Sequence, residues 1–135
     1  VFTSSGHPVS AAAALKNIEI IEEENLVKNA AKVGKYFKES LLDLKSKQTL
    51  IGDVRGLGLL LSVELVSDSV TKKGFPKEFK IGDRLNGKFR ENGLILRVGG
   101  EILNLGPPLC ITELEVDEII EALDRSLTEL QGEWA

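Results

Sequence analysis

Three places in this 135-residue chain hold residue types that could do chemistry. The opening, Thr3-Ser4-Ser5-Gly6-His7-Pro8, sets hydroxyls and backbone N–H groups at the start of a helix, where Pro8 loses nothing by lacking its N–H. Free N–H groups and the positive end of the helix dipole favour an anion there, phosphate above all. The same hydroxyls, Ser4 or Ser5, also serve simply as helix caps. His7, the one histidine, stands beside a proline at a helix start, where a structural role is expected. Arg97 lies in an apolar run, LILRV, just before Gly99-Gly100. It either reaches solvent along its alkyl stem or turns into a cleft and takes a carboxylate with two parallel N–H donors. The glycines of RGLGLL at 55–60 do not spell GxGxxG, and they fall between strands, so dinucleotide binding is not expected. No spacing suggests a metal site, a Ser/His/Asp arrangement or an acid/base carboxylate pair.

The elements that must position these residues follow from hydrophobic spacing. After Pro8, four alanines and then Leu15, Ile18 and Ile21 predict a first helix up to the acidic run Glu22–Glu24. Asn25 is placed to cap a second helix, whose apolar face is Leu26, Ala30, Val33, Phe37, Leu41 and Leu44. Residues 49–65 change to Val/Ile/Leu runs broken by glycines, which predicts two short strands and a tight turn. The patch 66–79 mixes Ser, Asp, Lys, Gly and Pro without periodicity and reads as a surface loop. Ile81, Leu85 and Phe89 mark a third helix over 78–92, stopped by Gly93. Strands at 94–98 and 101–105 flank Gly99-Gly100, a two-residue hairpin signal, and Pro107-Pro108 ends the second. Thr112 and Glu115 form a capping box for a last helix with Val116, Leu123, Leu127 and Leu130 on its apolar face. The order α-α-β-β-α-β-β-α predicts an α+β fold, a small, mostly antiparallel sheet covered by helices.

Composition limits the partners. With 42% hydrophobic residues, a packed core is expected. Seventeen Lys and Arg against 21 Asp and Glu give a net charge of −4, which argues against nucleic acid as the main partner. One cysteine, Cys110, expected to pack just before the last helix, cannot form an intrachain disulfide, and a reducing, cytoplasmic setting is expected. No apolar run is long enough for a membrane helix. The chain lacks methionine and opens on Val1, which suggests that it is cut from a longer protein.

Taken together, FTSSGHPVSAAAALKNIEIIEEENL, VRGLGLLLSVEL, GLILR and LGPPLCITELEVDEIIEAL resemble the C-terminal part of the class III aminotransferases. These are pyridoxal-phosphate enzymes of fold type I, and the SGHP wording is nearer their omega-amino-acid:pyruvate group than their acetylornithine group. The resemblance implies a connecting helix over 1–24 that bears a phosphate-binding motif, and a small C-terminal domain over 25–135. It implies that Thr3 binds the phosphate of pyridoxal 5'-phosphate in a neighbouring subunit of a homodimer. It implies that Arg97 holds the substrate carboxylate. Arg55 and Gly56 match a motif at the start of the small-domain sheet, where a structural role is expected.

One departure from the family matters most. The Schiff-base lysine and the rest of the cofactor cradle lie upstream of the threonine motif in such enzymes, in a large domain, and none of the twelve lysines here matches it. Ser4 stands where the family commonly has Tyr or Phe. The implied activity is transfer of an amino group from an amine or omega-amino acid to a 2-oxo acid by a longer enzyme, with this chain inactive alone. The alternative is a stand-alone α+β interaction module derived from such an enzyme, without catalysis.

Overall fold

The computed structural model describes residues 6–134, so Thr3 and the serines of the opening motif lie outside the described residues. Helix α1 spans Pro8–Glu23, with Pro8 in its first turn and His7 at its N-cap making no side-chain cap bond. None of its residues is buried. Helix α2, Leu26–Lys47, follows after a two-residue break. Asn25 does not cap α2 with its side chain: it sits at φ 52°, ψ 37°, the left-handed region, instead of the extended geometry a capping side chain needs. Its carbonyl instead accepts from the N–H groups of Lys28 and Asn29.

Strands β1 (Ile51–Leu57) and β2 (Leu60–Leu65) form an antiparallel hairpin closed by the Leu57–Leu60 pair. A loop then runs to a short 3-10 turn at Lys77–Phe79. Phe75 and Phe79 pack edge-on against Trp134 at the far end of the chain, which ties this loop down. Helix α3 is Ile81–Glu91. Its end is a Schellman motif: Leu94 N–H donates to Phe89 O at 2.7 Å and Gly93 N–H to Arg90 O at 3.1 Å, with Gly93 at φ 79°.

Strands β3 (Arg97–Gly99) and β4 (Ile102–Leu105) complete a four-stranded antiparallel sheet in the order β1-β2-β4-β3. The turn differs by one residue from the expected Gly99-Gly100. Gly99 stays in β3 opposite Ile102, and Gly100, at φ 65°, opens a Gly100–Glu101 turn. The expected strand at 94–98 also shrinks, because Leu94 gives its N–H to the helix end and Leu94–Leu96 join no ladder. Helix α4, Glu113–Trp134, begins at the expected capping box: Thr112 N–H donates to Glu115 Oε2 at 2.8 Å and Glu115 N–H to Thr112 Oγ1 at 3.3 Å.

The fold is α+β, with two layers. Strand residues alternate: Val54, Leu61, Val63, Leu65, Leu103 and Leu105 are buried against Phe37 and Leu41 of α2, Leu85 and Phe89 of α3, and Leu123 and Leu127 of α4. The other face carries Asp53, Arg55, Ser62, Glu64, Asn104 and Arg97, and no described helix covers it.

Candidate functional site

On the open face of the sheet one lateral row is polar from edge to edge. Arg55 of β1 lies opposite Ser62, Ser62 opposite Asn104, and Asn104 opposite Arg97 of β3. Directly opposed residues share a face, with Cβ atoms ~5 Å apart. The two arginines at the ends of the row have different company. Arg55 Nη1 donates to Glu64 Oε2 at 2.5 Å and to Asp53 Oδ2 at 3.1 Å. Glu64, then Asp53, raises the pKa of Arg55, and Arg55 holds the Asp53 carboxyl below its usual range. Arg55 is thus neutralised within the sheet, in keeping with the expected structural role of this motif. Arg97 faces a neutral amide, and no ion pair engages it among the described residues, whereas Arg55 and Arg84 are both paired.

Arg97 is exposed and lines a cleft of about 420 Å³ at the β3–β4 edge of the sheet, where residues of both sheet faces, with Phe37 of α2 and Ile119 of α4, meet in one lining. The Schellman turn after α3 delivers Leu94, Ile95 and Leu96 to one wall, and Phe37, Leu105 and Ile119 form the other side. Arg97 and Asn104 are the two polar side chains in this lining. Apolar groups stand exposed at its rim, Leu60 at 75% and Ile95 at 78%. A guanidinium without a counter-ion in an apolar cleft is suited to an external carboxylate. A larger groove of about 700 Å³ adjoins it and shares Leu94, Ile95, Pro107 and Ile119. That groove carries Glu115, Glu118 and Glu121 against one Arg125, a charge balance that repels a carboxylate. The smaller cleft is the better anion site.

The other candidates are placed as follows. His7 is exposed before α1, and its ring caps nothing. Cys110 is exposed and free, lining the larger groove, so the expectation that it packs is corrected. The segment after β4 begins Gly106-Pro107-Pro108, joins no ladder and carries the thiol along the surface. Asn104 was not singled out by the sequence, because its meeting with Arg97 depends on the turn. A turn at Gly99-Gly100 would have set Arg97 opposite Ile102.

The family model "Aminotransferase class-III" matches residues 2–127. This chain belongs to the class-III aminotransferases. It is 40% identical over 134 residues to an uncharacterized aminotransferase, y4uB, of Sinorhizobium fredii, covering 98% of this chain and 29% of that protein. It is 35% identical over 130 residues to gamma aminobutyrate transaminase 1, mitochondrial, of Solanum lycopersicum, covering 96% of this chain and 25% of that protein. Among solved structures it is similar to a transaminase with L-ala, at a TM-score of 0.93 and 41% identity over 100% of this chain and 32% of that one. It also matches an (S)-enantioselective omega-transaminase from Thermomicrobium roseum at a TM-score of 0.91 and 41% identity, covering 96% of this chain and 29% of that one. The chain thus spans less than a third of the relatives it matches.

Class-III aminotransferases generally depend on pyridoxal phosphate. In the Arg97 cleft the described residues offer that group no Schiff-base lysine. A lysine that forms a Schiff base needs a depressed pKa and an open approach. Lys88 is drawn in between Glu133 at 2.7 Å and Glu129 at 3.8 Å, and Glu133 raises its pKa. No lysine lines the Arg97 cleft. Among the described helices none is long and apolar enough to cross a membrane.

Proposed function

We propose that this chain is the small C-terminal domain, residues 25–135, with the connecting helix, residues 1–24, of a pyridoxal-phosphate-dependent aminotransferase. In this reading the whole enzyme moves an amino group from an amine or omega-amino acid to a 2-oxo acid. The work of this chain is to bind and orient the substrate carboxylate at Arg97. Thr3 would contact the cofactor phosphate across a homodimer interface, while an upstream large domain supplies the Schiff-base lysine. The free thiol of Cys110 fits a reducing compartment, the cytosol in this reading. By itself the chain is inactive.

One observation carries the proposal: Arg97 stands at an apolar cleft with no acid of its own, while Arg55 in the same row is doubly paired. The rim of Leu60 and Ile95, left exposed by the described residues, supports a further stretch of protein closing the cleft. A charge-assisted bidentate pair contributes ~1.5–3 kcal/mol. Arg97→Ala in the full-length enzyme should therefore lower kcat/KM for a carboxylate-bearing amino donor about 10- to 150-fold and for a simple amine only a few-fold. Equal losses for both substrates would remove Arg97 from the site.

A further inference from the structure

We propose that Asn104 is a second determinant of carboxylate recognition, donating from Nδ2 to the same carboxylate that Arg97 holds; this rests on the reading of Arg97 given above. Three observations support it. Asn104 is the direct cross-strand partner of Arg97, so both side chains rise from one face and line one cleft. Its amide is oriented from behind: the Ser62 hydroxyl donates to Asn104 Oδ1 at 3.4 Å, which leaves Nδ2 turned the other way. On that side Nδ2 lies beside Gly99, which carries no side chain. Gly99 is the next residue of β3 on the face of Arg97, two positions on, and a Cβ built there would lie 3.9 Å from Asn104 Nδ2. No described residue accepts a hydrogen bond from this Nδ2.

The chemistry explains why an amide stands here. A carboxylate offers about four lone-pair sites, and a bidentate guanidinium fills two of them. A third donor nearby strengthens the hold and fixes the tilt of the carboxylate plane. An aspartate at 104 would instead pair with Arg97, as Glu64 and Asp53 pair with Arg55 at the other end of the row, and occupy the site. A neutral residue that donates and also accepts from Ser62 is what the position requires. Asn104 is therefore a selectivity residue for acids over amines.

The test measures KM and kcat in the full-length enzyme for one amino acid donor and one simple amine. Asn104→Ala should lower the acid-to-amine ratio of kcat/KM about 10-fold, mainly through the KM of the acid, the low end of what one hydrogen bond to a charged group contributes. Asn104→Asp, nearly isosteric, should lower that ratio further, roughly 100-fold, by pairing with Arg97. In an Arg97→Ala background, Asn104→Ala should change the ratio less than twofold, since the carboxylate is no longer held beside it. If Arg97→Ala lowers the ratio but both Asn104 variants leave it unmoved, Asn104 is not a determinant and the reading of Arg97 stands. If the Asn104 variants reduce both substrates alike, their role is structural and the proposal is overturned. If Arg97→Ala itself leaves the ratio unmoved, the carboxylate reading fails and Asn104 falls with it.

Discussion

Gly34 of α2 and Gly58 in the β1–β2 turn meet backbone to backbone, so closely that a Cβ on Gly34 would overlap the carbonyl carbon of Gly58. This contact seats the second helix on the tip of the first hairpin and thereby sets where Phe37, three residues on, enters the wall of the Arg97 cleft. Backbone cannot step aside as a side-chain end can. Gly34→Ala should therefore destabilise the chain by ~1–3 kcal/mol through overpacking, although alanine is the better helix former. Gly87 on α3 is the control, being exposed with nothing within 4 Å of a built Cβ. There the same substitution should stabilise by ~0.5–1 kcal/mol from helix propensity alone. Urea unfolding of both variants checks the pair. A neutral or stabilising Gly34→Ala would contradict the close contact.

The capping box of α4 makes a pH-dependent contribution. The Glu115 carboxyl is held below its usual range, first by the Thr112 N–H and second by the Thr112 hydroxyl. A carboxylate with a lowered folded-state pKa stabilises above its unfolded value, ~4.3, and that contribution is lost as pH falls through the lower folded value. Thr112→Ala removes the hydroxyl and keeps the N–H. It should cost ~0.5–2 kcal/mol near neutral pH, and the gap from the native chain should narrow in acid, where protonated Glu115 no longer draws on the hydroxyl. Melting curves at pH 7 and pH 3 measure the two gaps. A gap that widens in acid would refute this account.

What could be read in the sequence divides along physical lines. The stripe Val33, Phe37, Leu41 and Leu44 and the box Thr112–Glu115 were legible because their contacts are made within one helix or by one helix face. The Schellman stop at Gly93 was legible for the same reason. The Arg97–Asn104 pairing was not. Two adjacent glycines could each open the turn, and a one-residue change of turn moves the cross-strand partner by two. Asn25 misled because asparagine is favoured both as a cap and in the left-handed region, and only the angle at which α1 meets α2 chooses between them. The surface position of Cys110 followed from neither composition nor spacing, since apolar neighbours such as Leu109 are exposed as well.

Helix α1 should be the least protected helix when this chain is studied alone. It buries no residue, and Val9, Leu15 and Ile18 are 70%, 64% and 52% exposed. Its ion pairs, Lys16 with Glu19 at 3.0 Å and with Glu23 at 3.9 Å, are at the surface, where such pairs contribute little. Only Ile20 and Ile21, near its end, are half-buried. A helix of 16 residues without a packed face is marginal in water, because nucleation is unfavourable and each added residue gains little. By contrast α4 buries Val116, Leu123, Leu127 and Leu130 in the core. In a dilute solution of the 135-residue chain, amides 12–19 should thus exchange far faster than amides 122–130, which open only with the core. Raising the concentration discriminates further: if a second copy covers Val9, Leu15 and Ile18, protection of α1 will grow with concentration while that of α4 stays constant. Equal protection of the two helices at the lowest concentration would mean that α1 is held by something other than the contacts seen here, and would overturn the prediction.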